Sequence, residues 1–112
     1  MTVEARQAVE VQQGAGQQDR EGAWITCLDR LEGLAAELGG HGLRARVVSA
    51  PGRLPSLHVV NPAAAALAED VYAGPSRDGQ WWFWWSWAER IAAGEDLAGA
   101  ASRIRRVLAA RD

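Results

Sequence analysis

Gln80-Trp81-Trp82-Phe83-Trp84-Trp85-Ser86-Trp87-Ala88 decides the fold, because five of the 6 tryptophans of the chain fall within this one run. Aromatic side chains suit a pleated surface and crowd a helix at χ1, so the run reads as a β-strand. Side chains alternate along a strand. Trp81, Phe83, Trp85 and Trp87 therefore share one face, and Trp82 and Trp84 share the other with Gln80 and Ser86. A chain this short has helices enough for one sheet face. One aromatic set is core, and the other needs a separate explanation. The preceding Asp78-Gly79 is expected to supply the positive-φ pair of a tight hairpin turn.

Moving outward toward the amino terminus, Pro75 to Gly79 is a turn, and Glu69 to Gly74 is a short strand centred on Val71 and Tyr72. Ser56 to Asn61 is another, with Leu57 and Val59 alternating with His58 and Val60, and Asn61-Pro62 breaks it. Between them, Ala63 to Ala68 reads either as one or two helical turns behind Pro62 or as an irregular crossover. Leu43, Ala45 and Val47 alternate with Arg44, Arg46 and Val48, a half-buried strand. Before it, Trp24, Leu28, Leu31, Leu34 or Ala35, and Leu38 recur at helical spacing, with Asp19 as N-cap and Gly39-Gly40 as the stop. Residues 1–18, rich in glutamine with Gly14 and Gly16, read as a disordered tail, and 19–112 as a single domain.

On the other side of the aromatic run the chain loosens through Ala92, Ala93 and Gly94. Asp96 then caps a helix with Leu97, Ala101, Ile104 and Leu108 on one face. The expected order is α-β-β-crossover-β-β-α. This is a two-layer α+β domain, with a four-stranded antiparallel sheet and the N- and C-terminal helices on one face.

Composition narrows the function. The 112 residues carry a formal net charge of −2, which argues against nucleic-acid backbone or anionic membrane as partner. All 12 basic residues are arginine, which points to a high-GC bacterial genome. The single Cys27 has no internal disulfide partner and reads as a buried, inert thiol; no metal-ligand spacing or cofactor motif occurs. No signal peptide or membrane-spanning run is visible, so a cytoplasmic location is expected.

No catalytic constellation is apparent. His41 sits in a glycine-rich loop, and His58 reads as a lone histidine with no paired carboxylate. Glu69 and Asp70 are adjacent, so on a strand they point to opposite faces. Glu95-Asp96 is explained by helix-start chemistry. Arg103, Arg105, Arg106 and Arg111 read as a solvated helix face. The outer sheet face is different. Trp82, Trp84, Tyr72, His58, Arg44 and Arg46 are expected there, a patch that marks a contact surface unless the crossover or the N-terminal tail folds over it. Three functions compete. They are a non-catalytic interaction or regulatory module, self-associating as a homodimer or binding a protein; a binder of a flat ligand stacked on Trp82, Trp84 and Tyr72; and an enzyme resting on His58 and the arginines.

Leu57-His58-Val59-Val60-Asn61-Pro62, Glu69-Asp70-Val71, Asp78-Gly79 and Trp82-Phe83-Trp84-Trp85-Ser86-Trp87 together resemble a group of small actinobacterial proteins of unassigned function. These carry an "NP" loop and a "WFWWSW" strand ahead of a C-terminal helix. The resemblance runs from about Leu57 to Leu108 and implies no activity. The alanines after Asn61-Pro62 depart from the group's more polar loop. In element order the chain is also similar to the small acidic homodimeric chaperones of specialised secretion, an analogy of fold alone.

Overall fold

The computed structural model describes residues 11–64 and 67–109, with side chains from residue 22 onward. Its elements are α1 (Val11–Gly40), β1 (Arg44–Val48), β2 (Ser56–Val60), β3 (Ala68–Pro75), β4 (Trp81–Trp85), β5 (Arg90–Ala93) and α2 (Leu97–Val107). The sheet is antiparallel with the order β1-β2-β3-β4-β5, each strand beside its predecessor in sequence. The α+β class holds. The sheet has five strands where four are expected.

The fifth strand arises because the aromatic run stops at Trp85. Ser86 to Ala88 turns the chain, and Arg90–Ala93 returns alongside β4. Small residues in Ile91-Ala92-Ala93 hide this strand from pattern reading. A register shift between Phe83 and Trp84 leaves Ile91 without a Cα partner, a bulge that accompanies its burial in the core. Trp87, expected on the core face, has left the strand. It is 51% exposed and stacks on Trp85 instead.

No crossover separates β2 from β3; Asn61 to Leu67 is a hairpin loop. Asn61 organises it. Its Oδ1 accepts from the Ala63 amide at 2.9 Å, its backbone N–H donates to the Leu67 carbonyl, and its Nδ2 donates to the Leu108 carbonyl at 2.7 Å. The last bond caps the carboxyl end of α2, so the Asn-Pro loop anchors that helix to the sheet.

The turn before β4 also differs from expectation. Of Asp78 and Gly79 only Gly79 has positive φ, and the connection is a three-residue loop closed by Ser76 N–H to Gln80 carbonyl at 2.8 Å. Asp78 Oδ1 accepts from Ser76 Oγ and from the Gln80 amide.

The helices obey simple rules. Asp96 caps α2, its Oδ1 accepting from the Gly99 amide at 2.9 Å, and Ala101, Ile104 and Leu108 are buried with Leu97 at the margin. In α1 the buried stripe is Cys27, Leu31, Leu34 and Leu38, so Leu28 sits at its side and Trp24 is 41% exposed. Gly42, not Gly39 or Gly40, supplies the left-handed stop. The Leu43 amide reaches the Leu38 carbonyl and the Gly42 amide reaches Gly39, the Schellman pattern. The chain is already helical at Val11, the first described residue, ahead of the expected Asp19 cap. Val11–Gln18 of the expected tail thus lies within α1, and residues 1–10 lie outside the described residues.

The core is one layer deep. Leu57, Val59, Val71, Ala73, Phe83, Trp85 and Ile91 face Leu31, Leu34 and Leu38 of α1 and Ala100, Ala101 and Ile104 of α2. Phe83 is fully buried and Trp85 is 6% exposed, so the helix-covered face of the aromatic strand is the expected one. Cys27 is buried with its Sγ 3.4 Å from the Ala73 carbonyl; burial pushes the thiol above its ordinary pKa.

Candidate functional site

Strand register places all six expected contact residues on the sheet face opposite the helices. Arg46 stands across from His58, and His58 from Asp70; Tyr72 stands across from Trp84, and Trp84 from Arg90. Arg44 lies one step along β1, opposite Val60, and Trp82 lies opposite Gly74. Two rows result, one charged and one aromatic, joined along β3 by Asp70 and Tyr72.

The aromatic row is tied to β3 by a hydrogen bond. Trp84 Nε1 donates to the Gly74 carbonyl at 3.0 Å, so its indole ring reaches across to that strand. Arg90 then covers the row from β5. Its guanidinium carbon lies 4.4 Å from the Trp82 ring centroid and 5.5 Å from that of Trp84. Trp82 and Trp84 are consequently half-buried, and Tyr72 is 38% exposed. Trp82 Nε1 is inaccessible and has no hydrogen-bond partner among the described residues.

In the charged row, His58 has a carboxylate partner after all. Its Nδ1 lies 2.9 Å from Asp70 Oδ1, and both side chains remain open to solvent. Register alone makes this pair, since Leu57 opposite Val71 puts His58 opposite Asp70. The Asp70 bond orients the ring and directs Nε2 away from the pair.

Asp70 and Arg90 are the two face residues that sequence reasoning did not place. Asp70 becomes legible only once Asn61–Leu67 is known to be a hairpin, and Arg90 only once the chain is known to turn after Trp85. Elsewhere, His41 Nε2 lies 4.0 Å from Glu37 at the end of α1. Among the described residues no group of three or more His, Cys, Asp and Glu side chains is placed to hold a metal ion, and no helix is long and apolar enough to cross a membrane.

No family model matches the chain, and neither a curated protein nor a solved structure matches it.

Proposed function

We propose that the protein is a non-catalytic, cytoplasmic interaction module that self-associates through its outer sheet face. The observation that carries this reading is a continuous face bearing Trp82, Trp84 and Tyr72 while both helices pack on the other side. A tryptophan buries on the order of 150–250 Å² when fully covered, and aromatic residues with arginine characterise the centres of protein interfaces. Two-fold pairing of like faces is the commonest way to hide such a patch.

The magnitudes bound the strength. The face spans about 20 Å across the strands and about 17 Å along them. Trp82 and Trp84 are already half-covered, so each offers less than a free indole. An interface confined to this face falls at the low end of those that hold stable complexes. The expected association is therefore weak, in the micromolar range, with Tyr72, His58, Arg44 and Arg46 contributing around the tryptophans.

The competing reading stacks a flat ligand on Trp82 and Trp84. Arg90 already lies over both rings and disfavours it. An enzyme reading now has the His58–Asp70 pair, but no nucleophilic side chain stands in the same row.

Light scattering across a concentration series tests the proposal. Dimer is expected at high micromolar concentration, and the Trp82→Ser, Trp84→Ser double variant is expected to be a folded monomer. A clean wild-type monomer at that concentration overturns self-association. A double variant that stays dimeric moves the contact to a sheet edge.

A further inference from the structure

The outer sheet face carries opposite charges on either side of its aromatic pair. Tyr72 stands across from Trp84, and Asp70 lies two residues before Tyr72 on β3, on the same face. Arg90 stands across from Trp84 on the other side, on the edge strand β5. With strands about 4.8 Å apart and about 3.3 Å per residue, Asp70 and Arg90 are about 12 Å apart, and Trp84 lies beside the midpoint with Tyr72 next to it.

Each charge is only partly engaged within its own chain. Asp70 Oδ1 lies 2.9 Å from His58 Nδ1, and the carboxylate stays open to solvent. The Arg90 guanidinium is stacked over Trp82 and Trp84, with its carbon 4.4 Å and 5.5 Å from their ring centroids. Stacking uses the flat of the group and leaves the N–H donors in its plane. The carboxylates nearest in sequence and in space have other partners. Glu89 Oε1 accepts from Trp87 Nε1 at 2.7 Å. The Ser76 hydroxyl and the Gln80 amide hold the Asp78 carboxyl below its usual range, and Arg90 adds to this from a distance. Among the described residues the ion pairs are those of His41 and His58, so Arg90 has no carboxylate within 4.0 Å.

A second copy supplies the missing partner. In a two-fold pairing of like faces, a residue i that meets j is matched by j meeting i. An axis between the two sheets, through the midpoint from Asp70 to Arg90, brings each Asp70 to the partner's Arg90. The same operation lays Trp84 over the partner's Tyr72, so the aromatic pair is covered at the centre. Arg44 and Arg46 lie on β1, the far edge of the sheet, and fall at the rim, so the like charges of the face do not stack.

We propose that the self-association inferred above uses this axis, with reciprocal Asp70–Arg90 ion pairs flanking a Trp84–Tyr72 centre. The inference rests on the self-association reading and adds to it the way the two faces meet. A carboxylate and a guanidinium match through two parallel hydrogen bonds, which fixes the orientation as well as the charge. Slipped arrangements set arginine against arginine and are disfavoured.

A charge swap read by sedimentation velocity tests it. Asp70→Arg and Arg90→Asp each oppose like charges in their own homodimer, and each is expected to associate at least about tenfold more weakly than wild type. Mixed in equal amounts they restore both pairs, since the variant that is cationic at both positions meets the one that is anionic at both. The mixture is expected to form a heterodimer within about threefold of the wild-type dissociation constant. Asp70→Asn and Arg90→Gln reverse no charge and give a second measurement. Each is expected to weaken association, and the double variant to lose no more than either single one. Thermal melts show which variants are folded, and the neutral set decides where a charge-reversed one is not. A wild-type monomer at high micromolar concentration overturns the self-association reading itself. A wild-type dimer whose charge-reversed variants do not recover on mixing, or whose neutral variants lose affinity additively, overturns this pairing alone and leaves that reading standing.

Discussion

Replacing Ala88 with glycine should stabilise the protein, a result that runs against the usual effect of adding a glycine. The reason lies in two hairpin turns of the same design. In the β3–β4 turn, Ser76 N–H reaches Gln80 carbonyl at 2.8 Å and Gly79 N–H reaches Ser76 carbonyl at 2.9 Å. In the β4–β5 turn, Trp85 N–H reaches Glu89 carbonyl at 2.8 Å and Ala88 N–H reaches Trp85 carbonyl at 3.0 Å. Gly79 and Ala88 occupy the same place, with φ of 87° and 69°. An L-residue in the left-handed region costs roughly 1–2 kcal/mol, whereas glycine raises the entropy cost of folding by roughly 0.5–1 kcal/mol. The difference favours Ala88→Gly by about 0.5–1 kcal/mol. That corresponds to a rise of about 2–6 °C in Tm for a domain of this size. The reverse substitution is the control. A Cβ on Gly79 would meet nothing within 4 Å, so Gly79→Ala tests backbone strain alone and should cost a similar amount. Urea titration of wild type, both variants and their combination measures this directly, and the combination should lie near wild type because the turns are separate. If Ala88→Gly is destabilising while Gly79→Ala behaves as stated, the Trp85–Trp87 stack depends on the alanine and the strain argument fails.

Three further outcomes follow from the packing. Phe83→Ala should cost roughly 3–5 kcal/mol, because Phe83 is fully buried between sheet and helices; a melt within a degree of wild type would refute the assignment of faces. Asn61→Ala should cost roughly 1–3 kcal/mol by removing the Ala63 and Leu108 bonds, and hydrogen exchange should rise at the carboxyl end of α2 more than at its start. Cys27 should resist alkylation in the native state. Burial raises its pKa, so the neutral thiol's contribution to stability is present below the ordinary value of 9.0 and lost as pH rises through the higher folded value; Cys27→Ala should flatten that alkaline loss.

How far the molecule can be read from its residues depends on the range of the interaction. Alternation along Trp81–Trp85 placed Phe83 and Trp85 in the core and Trp82 and Trp84 outside, because side-chain direction in a strand is a local property. Asp96 as a cap, the α2 stripe and the Arg44–Val48 and Ser56–Val60 strands are local in the same sense. The hairpin at Asn61–Leu67, expected as a crossover, is not local in this sense. Its closure depends on an asparagine whose partners include Leu108, a contact made 47 residues away.

What only the tertiary structure decided is where elements stop and which residues meet across them. The aromatic run resumes after Ser86 at Trp87, yet the strand ends at Trp85, where a turn with Ala88 at positive φ begins, a conformation that no propensity assigns to alanine. Trp24 and Cys27 lie three residues apart on α1, and the rotation of the docked helix exposes the first and buries the second. The His58–Asp70 pair and the stacking of Arg90 over Trp82 and Trp84 each need strand register. Register is set by packing one face against the helices, since a slip of one residue would turn Phe83 out and Trp82 in. The residue types of the outer face were therefore determined locally, and their partners by the core beneath them.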